Sequence, residues 1–464
     1  MSEPNLFNEF SAISETEWRD KIIKDLRGKA FEEIVKRSAD GIPIQPIYSQ
    51  ESGPVVHQPL KEHPKWDNVL EILVEDPKKA NEEALLYLNR GATSLLFYLV
   101  GKVDLKVLLE GIQLEYICTN FVLAENVDYY VESFQNLLAE RGLEETELEG
   151  SFNFDPLENL ARTGNWFQNA EVDFAGLAAL KSAQFKGFRT NSLNLNLFQN
   201  AGASPAQELG IALAMAYEYQ HKLQLDNSRS FWINFAIGSD YFMEIAKLRA
   251  FRRIWAQWQR ELGLSESEVR IYAETSLRNK SILDKHNNLI RSTAEAMAAV
   301  IGGATEVCVK GFGEPLEDQG FFPRRLALNQ LSILQHEARL DQVRDMAAGN
   351  YWVENLSESL AKEGWAFFKA IEAEGGYIAA LKSNWLQDQI QAKADAEQER
   401  FNAGDLKLIG VNVFRNAQEK YSDALKTTLA PKASKSSSAE VKKIESKRLA
   451  EDLERSIILE NSAS

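Results

Sequence analysis

Cysteine is nearly absent from this chain. Its 2 cysteines, Cys118 and Cys308, lie far apart and each sits inside an apolar, strand-like run, which excludes a disulfide framework and favours buried reduced thiols. Histidine is scarce as well, 5 in 464 residues. His57 and His63 fall in a proline-rich stretch, His221 and His336 on helical patterns, and His336-Glu337 lacks the second histidine of a zinc helix, so no zinc or iron site is expected. No apolar run approaches the length of a bilayer span, and the opening Met-Ser-Glu-Pro-Asn-Leu-Phe-Asn-Glu-Phe has neither the basic nor the apolar region of an export leader. A cytoplasmic location is the expectation, with no membrane partner. Positive charge is in deficit: 52 Lys and Arg against 68 Asp and Glu leave a net −16, which repels phosphate backbones and excludes nucleic acid as a partner.

What is present is core-forming material, 44% hydrophobic and 26% charged, enough for one large domain or two ordinary ones. Residues 1–65 read as an arm. Ser14-Glu-Thr-Glu17 has capping-box spacing ahead of an amphipathic run from Trp18 to Leu26. Behind it, Pro43, Pro46, Pro54, Pro59 and Pro64 with Ile42, Ile44, Ile47, Tyr48, Val55 and Val56 predict a strap laid over a surface.

From Trp66 onward, short apolar runs alternate with helical stretches. Strands are expected at 69–74, 94–100, 114–121, 192–198, 231–237, 269–273, 306–309 and 406–411, and helices at 80–88, 127–138, 206–223 and 241–258, among others. Eight alternations match an α/β fold of the closed parallel (β/α)₈ TIM-barrel type over 66–430, with an open doubly wound sheet as the alternative. A helical insertion at 329–398 is placed between the seventh and eighth strands. Residues 431–464 read as a polar linker, Lys432-Ala-Ser-Lys-Ser-Ser-Ser438, followed by a C-terminal charged tail helix over 440–459 with Val441, Ile444, Leu449, Leu453 and Ile457 along one side.

The passage 270–303 joins a strand (Arg270-Ile-Tyr-Ala-Glu-Thr-Ser276), a polar loop (Asp284-Lys-His-Asn-Asn288) and a small-residue helix stopped by Gly302-Gly303, read as a C-cap. Together with Trp18-Arg-Asp-Lys-Ile-Ile-Lys-Asp-Leu-Arg-Gly28, Gly41-Ile-Pro-Ile-Gln-Pro-Ile-Tyr48, Asn89-Arg-Gly-Ala-Thr-Ser-Leu-Leu-Phe97, Gly238-Ser-Asp-Tyr-Phe-Met-Glu-Ile-Ala-Lys-Leu-Arg-Ala250, Tyr351-Trp-Val-Glu-Asn-Leu356, Glu374-Gly-Gly376 and Ile409-Gly-Val-Asn412, it resembles the methylmalonyl-CoA mutase family. That resemblance implies adenosylcobalamin-dependent radical rearrangement of an acyl-CoA, methylmalonyl-CoA to succinyl-CoA, in which the cofactor carries the chemistry and the protein orients it. It also implies a flavodoxin-like cobalamin domain after the barrel, with an Asp-x-His-x-x-Gly cobalt-ligand motif. On this reading the chain stops before that domain, and no cofactor is bound by this chain.

The near-match Asp284-Lys-His286-Asn-Asn-Leu289 has leucine in place of the glycine and lies inside the barrel region, so it is read as a capping loop rather than a cobalt ligand. The Arg-Gln-Tyr-Ala-Gly-Phe segment of active members has no counterpart near 95–101. Alignment on Gln199-Asn-Ala-Gly-Ala203 puts Leu197 at the family's catalytic histidine position, and leucine cannot donate a hydrogen bond to a thioester carbonyl. Strand residues such as Leu95, Phe97, Leu99, Leu195, Leu197, Trp232, Phe235 and Ile237 predict a barrel filled by its own bulky side chains. Asp240 is read as an N-cap. Glu274, Thr275, Ser276, Arg278 and Asn279 form a polar cluster at a strand's carboxyl end, where barrel sites sit.

The resulting expectation is a small, non-catalytic subunit of a heterodimeric methylmalonyl-CoA mutase, its arm contacting a large subunit that holds adenosylcobalamin. The alternative is a substrate-binding catalytic barrel served by a separate cobalamin-binding subunit.

Overall fold

The computed structural model describes residues 13–52, 63–144, 146–183, 185–225, 231–265, 268–316, 320–416, 418–419 and 439–460. Pro54, Val55, Val56, His57 and Pro59 of the expected strap and the linker 432–438 lie outside them.

Eleven strands are described: β1 (Lys36–Arg37), β2 (Pro43–Ile44), β3 (Asp67–Val74), β4 (Ser94–Leu99), β5 (Cys118–Val122), β6 (Gly150–Asn153), β7 (Phe188–Arg189), β8 (Asn191–Asn194), β9 (Phe231–Ile237), β10 (Arg270–Thr275) and β11 (Glu306–Cys308). β1 and β2 form a small antiparallel pair in the arm. The other nine make one sheet in the order β7-β6-β5-β4-β3-β11-β10-β9-β8, with every pairing parallel. β7 pairs with β6 and β8 with β9, and only Thr190 separates the two fragments, so they act as one broken strand that brings the ends of the sheet together. The result is the expected (β/α)₈ barrel, nearly closed.

The helices are α1 (Glu15–Asp25), α2 (Pro77–Leu88), α3 (Leu105–Leu108), α4 (Val127–Arg141), α5 (Pro156–Thr163), α6 (Ala170–Ala183), α7 (Asn196–Asn200), α8 (Pro205–Leu223), α9 (Tyr241–Glu261), α10 (Asn287–Ile301), α11 (Phe321–Ser332), α12 (Tyr351–Ala373), α13 (Tyr377–Lys382), α14 (Trp385–Asn402) and a terminal helix, Glu451–Glu460. Their starts follow local chemistry: Ser14 and Ser204 close capping boxes with Glu17 and Gln207, and Asp76 caps α2 ahead of Pro77. No helix among the described residues is long and apolar enough to cross a membrane.

The strand count is as expected, but its membership differs. Residues 406–411 are not a barrel strand; Ile409 makes an isolated bridge to Val413, because Gly410 turns the chain at φ +79°. The strand in its place is β6, Gly-Ser-Phe-Asn, whose polar residues show no alternation because all four are buried. At Gly150 a Cβ would lie 2.0 Å from the carbonyl oxygen of Thr119 on β5, so only glycine fits there. The helical insertion therefore follows the last strand rather than interrupting the barrel. Its long helix α12 crosses α8 closely at Gly210 and Gly364, where a Cβ would come within 2.7 Å of Phe368 N and Leu209 Cβ respectively.

Two other boundaries shift. The run 192–198 is strand only to Asn194, and Leu197 lies on α7. The tail is helical only over Glu451–Glu460; residues 440–450 are an extended strap that nevertheless buries Val441, Ile444 and Leu449.

Of the bulky residues expected to fill the lumen, Trp232 does so, and the others face outward. Leu95, Phe97, Leu99, Leu195, Leu197, Phe235 and Ile237 belong to the main core shared with the helices; Phe121, in register beside Phe97, packs edge-on against Phe134 of α4 at 5.8 Å, and Phe235 against Phe251 of α9 at 5.0 Å. Both cysteines are free and buried.

A buried ion cluster lies beneath α8 and α9. Lys247 Nζ is 3.0 Å from Glu208 Oε2 and 2.7 Å from Glu244 Oε2, with all three side chains almost fully buried. One ammonium serves two carboxylates, and burial, aided by Glu244, pushes Glu208 from its ordinary 4.5 up to about 8. The folded state then holds a proton that the unfolded state releases. Stability contributed this way is complete below about pH 4.5 and is lost as pH rises through about 8. Glu208→Gln is therefore expected to flatten this decline, measured as urea midpoints between those limits; an unchanged slope would refute the assignment.

Candidate functional site

Because strand side chains alternate, Asp67, Val69 and Glu71 on β3 face the lumen with Ser94, Leu96 and Tyr98 on β4 and Arg270, Tyr272 and Glu274 on β10. These side chains stack in layers. At the amino end, Arg270 is 3.1 Å from Asp67 and 3.4 Å from Glu306 and is also paired with Glu149; Asn120 donates to Glu306 at 2.9 Å, and the Cys118 thiol donates to the same carboxylate at 3.5 Å. The middle layer is apolar: Val69, Leu96, Trp232, Tyr272 and Cys308 form a cluster of their own.

The upper layer lies at the carboxyl end, where barrel enzymes place their chemistry. Lys310 Nζ is 2.6 Å from Glu71 Oε2 and 3.1 Å from Glu274 Oε2. Tyr272 and Tyr98 donate their hydroxyls to Glu71 Oε1 at 2.8 and 3.1 Å, and Asn196 Nδ2 donates to Glu274 Oε1 at 2.8 Å. Burial by itself would raise Glu71, but the Lys310 charge and the three hydrogen bonds outweigh it and hold the carboxyl below its ordinary value. Burial raises Glu274, only partly countered by Lys310. Burial would lower Lys310, yet the two carboxylates hold it well above its ordinary value. Lys310 is thus a fixed ammonium, unsuited to act as a nucleophile, and Glu274 is the group of the three that gives or takes a proton most easily.

Of the five polar residues expected at this end, Glu274 alone joins the cluster. Thr275 Oγ1 accepts from the Lys310 backbone at 2.9 Å; Ser276 donates to Gln199 Oε1 at 2.7 Å; Asn279 Nδ2 donates to Glu295 at 2.7 Å. Arg278 Nε donates to Glu397 at 2.7 Å, and its terminal nitrogen to the Lys447 carbonyl at 2.9 Å. All five are buried; four of them build the loop wall rather than a reaction centre. Leu197 is buried in the main core. Glu71, Tyr98 and Lys310 were not expected from the sequence. The available signal was the lone acid inside Val69-Leu-Glu-Ile-Leu-Val74 and the lysine that follows Val307-Cys-Val309.

Asp284 and His286 behave as a turn. Asn287 Nδ2 donates to Asp284 at 2.8 Å, and the His286 ring packs 5.2 Å from Phe312 at the N-cap position of α10. Asp240 takes the N-cap position of α9, and Gly302 the C-cap of α10. Among the described residues no group of three or more His, Cys, Asp or Glu is arranged to hold a metal ion.

The strap crosses this end of the barrel. Val441 N and Ile444 N donate to the carbonyls of Gly164 and Ala161 beyond β6 (3.1 and 2.7 Å), Lys447 N to that of Asn200 beyond β8 (3.0 Å), and Leu449 N to that of Arg278 beyond β10 (2.8 Å). Glu454 then accepts from Ile282 N at 3.0 Å. Ile282, Leu283, Phe401, Leu408, Val411, Leu449, Ala450, Ile457 and Ile458 form a small separate core at this rim.

A family model described as methylmalonyl-CoA mutase matches residues 100–462. The chain is similar to the methylmalonyl-CoA mutase small subunit of Porphyromonas gingivalis, 32% identical over 92% of this chain and 73% of that one. It is similar to the small subunit of Streptomyces virginiae, 31% identical over 84% and 67% respectively. It is also similar to the methylmalonyl-CoA mutase of Rhizobium meliloti, 30% identical over 76% of this chain and 51% of that protein.

Replacing Lys310 with methionine leaves Glu71 and Glu274 buried together without a cation. A loss of about 3–5 kcal/mol in urea denaturation is expected, and a loss below about 1 kcal/mol would show that the cluster is hydrated instead.

Proposed function

The chain belongs to the methylmalonyl-CoA mutase family, and from that premise we propose that it is the small, non-catalytic subunit of a heterodimeric, adenosylcobalamin-dependent methylmalonyl-CoA mutase, stabilising a large subunit that carries cofactor and substrate. The observation that carries this reading is the upper layer of the lumen, where Lys310, Glu71 and Glu274 bind one another. A ligand lying along the barrel axis would have to displace side chains that already pair with each other, and the strap covers part of the same end, over β6, β8 and β10. Leu197 offers no hydrogen bond where the family's histidine would stand. The near-match to the cobalt-ligand motif fits cobalamin poorly: Leu289 replaces its glycine, and His286 is packed against Phe312. The names of the P. gingivalis and S. virginiae relatives support the same reading.

The arm supplies the partner surface. Its inner part is docked on its own barrel: Ile42 is buried, Asp40 accepts from Ser204 and from Ala206 N (3.3 Å), and Lys393 donates to the Ala39 carbonyl at 2.7 Å. Helix α1 by contrast buries none of its residues, and Ile13 and Ile23 are 72% and 45% exposed. Within the proposed division into arm 1–65, barrel 66–430 and tail 431–464, α1 is the segment assigned to the large subunit.

Co-expression with the large subunit is the test. The two chains are expected to co-purify with mutase activity that needs the large subunit's cobalamin, and Ile13→Asp with Ile23→Asp to weaken the complex at least about tenfold, some 1.4 kcal/mol, while the melting temperature of this chain stays unchanged. Specific binding of methylmalonyl-CoA by the isolated chain would overturn the proposal in favour of a catalytic barrel with a separate cobalamin subunit.

A further inference from the structure

The barrel is weakly paired where β11 meets β3. β11 pairs with β3 only at Glu306↔Asp67 and Val307↔Asn68, whereas β3 continues in register with β4 up to Val74↔Leu99. Beyond Val307 the two strands part, and a cavity of about 280 Å³ lies between them and α11. Leu70 of β3, Val309 just past β11 and Leu328 and Leu331 from α11 give it an apolar wall, and Glu71 and Lys310 of the lumen cluster line it as well. The strap lies on the other side of the barrel mouth, over the ends of β6, β8 and β10, so it leaves this cavity uncovered.

Size and charge define what the cavity takes. An apolar cavity of roughly 150 Å³ holds a benzene ring, so this one has room for a chain of roughly six to ten heavy atoms. Lys310 is already matched by Glu71 and Glu274, and Arg324, at another edge of the cavity, is paired with Glu83. Glu314 lines it as well. Two carboxylates, Glu71 and Glu314, and two cations, Lys310 and Arg324, line the cavity among the described residues; both cations already sit in ion pairs, so an anion entering it would have to compete with those carboxylates to offset its desolvation.

We propose that the seam between β3 and β11 is a binding site for a small, mainly aliphatic molecule that ends in one uncharged or cationic hydrogen-bonding group, and that it rejects anions. This assignment stands apart from the pairing with a large subunit, since α1 and the seam share no residue. It also separates the site from an acyl-CoA site, whose ligand is strongly anionic.

The test uses the full chain with methyl-labelled leucine and valine, titrated with n-hexanol, n-hexylamine and hexanoate at pH 7. The methyl signals of Leu70, Val309, Leu328 and Leu331 are expected to shift with the alcohol or the amine, and hexanoate to bind at least tenfold more weakly. Leu328→Trp, which fills the cavity, should abolish the shifts. Leu73→Trp does the same from the rim, where Leu73 is 55% exposed and the fold tolerates bulk, and it serves if the first variant does not fold. Equal binding of hexanoate, no methyl shift with any probe, or shifts that persist in the folded variants would overturn the proposal.

Discussion

Closing eight parallel strand positions into a ring gives every strand a hydrogen-bonded neighbour on both sides and buries both of its faces. The rest of the molecule follows from that constraint. One face of each strand must satisfy the helices, and here it does so with large apolar groups such as Phe97, Phe121 and Phe235. The other face must fill a narrow lumen, and here it does so with one apolar layer held between two charged ones. The weak points of the ring are the places where pairing is shortest: Thr190, where a strand breaks, and the seam above Val307.

The charged layers share a pattern with the cluster beneath α8 and α9. Arg270, Lys310 and Lys247 each stand between two or more carboxylates, almost entirely out of water. Such arrangements add little net stability compared with apolar packing, but losing one partner is expensive, so they fix a single arrangement of the chain. In the upper layer, Lys310 commits Glu71 and Glu274 to ion pairing inside the barrel.

The barrel was legible in the sequence because apolar runs of strand length alternate with helical periodicity, and Phe231–Ile237 was placed to the residue on that basis. Gly150–Asn153 was not legible. A strand buried on both faces has no alternation, and this one is polar because it faces a polar lumen. Residues 406–411 have the composition of a strand, but Gly410 turns the chain and Leu408 and Val411 are used instead to cover the rim core. The tail pattern at Val441, Ile444 and Leu449 marked real burial. It was read as helix because spacing alone does not distinguish a helix face from an extended strap whose hydrogen bonds go to other loops.

By itself, the sequence determined the family and the fold class, since both depend on residue identity and local order. Only the tertiary structure decided which side chains meet. Glu71, Tyr98 and Glu274 come from three strands and Lys310 from the segment just after β11, spread over 239 residues of chain, and nothing in their local surroundings pairs them. Ring closure brings them to one level of the lumen, and burial there forces their charges to be matched within the protein because water is not available to do so.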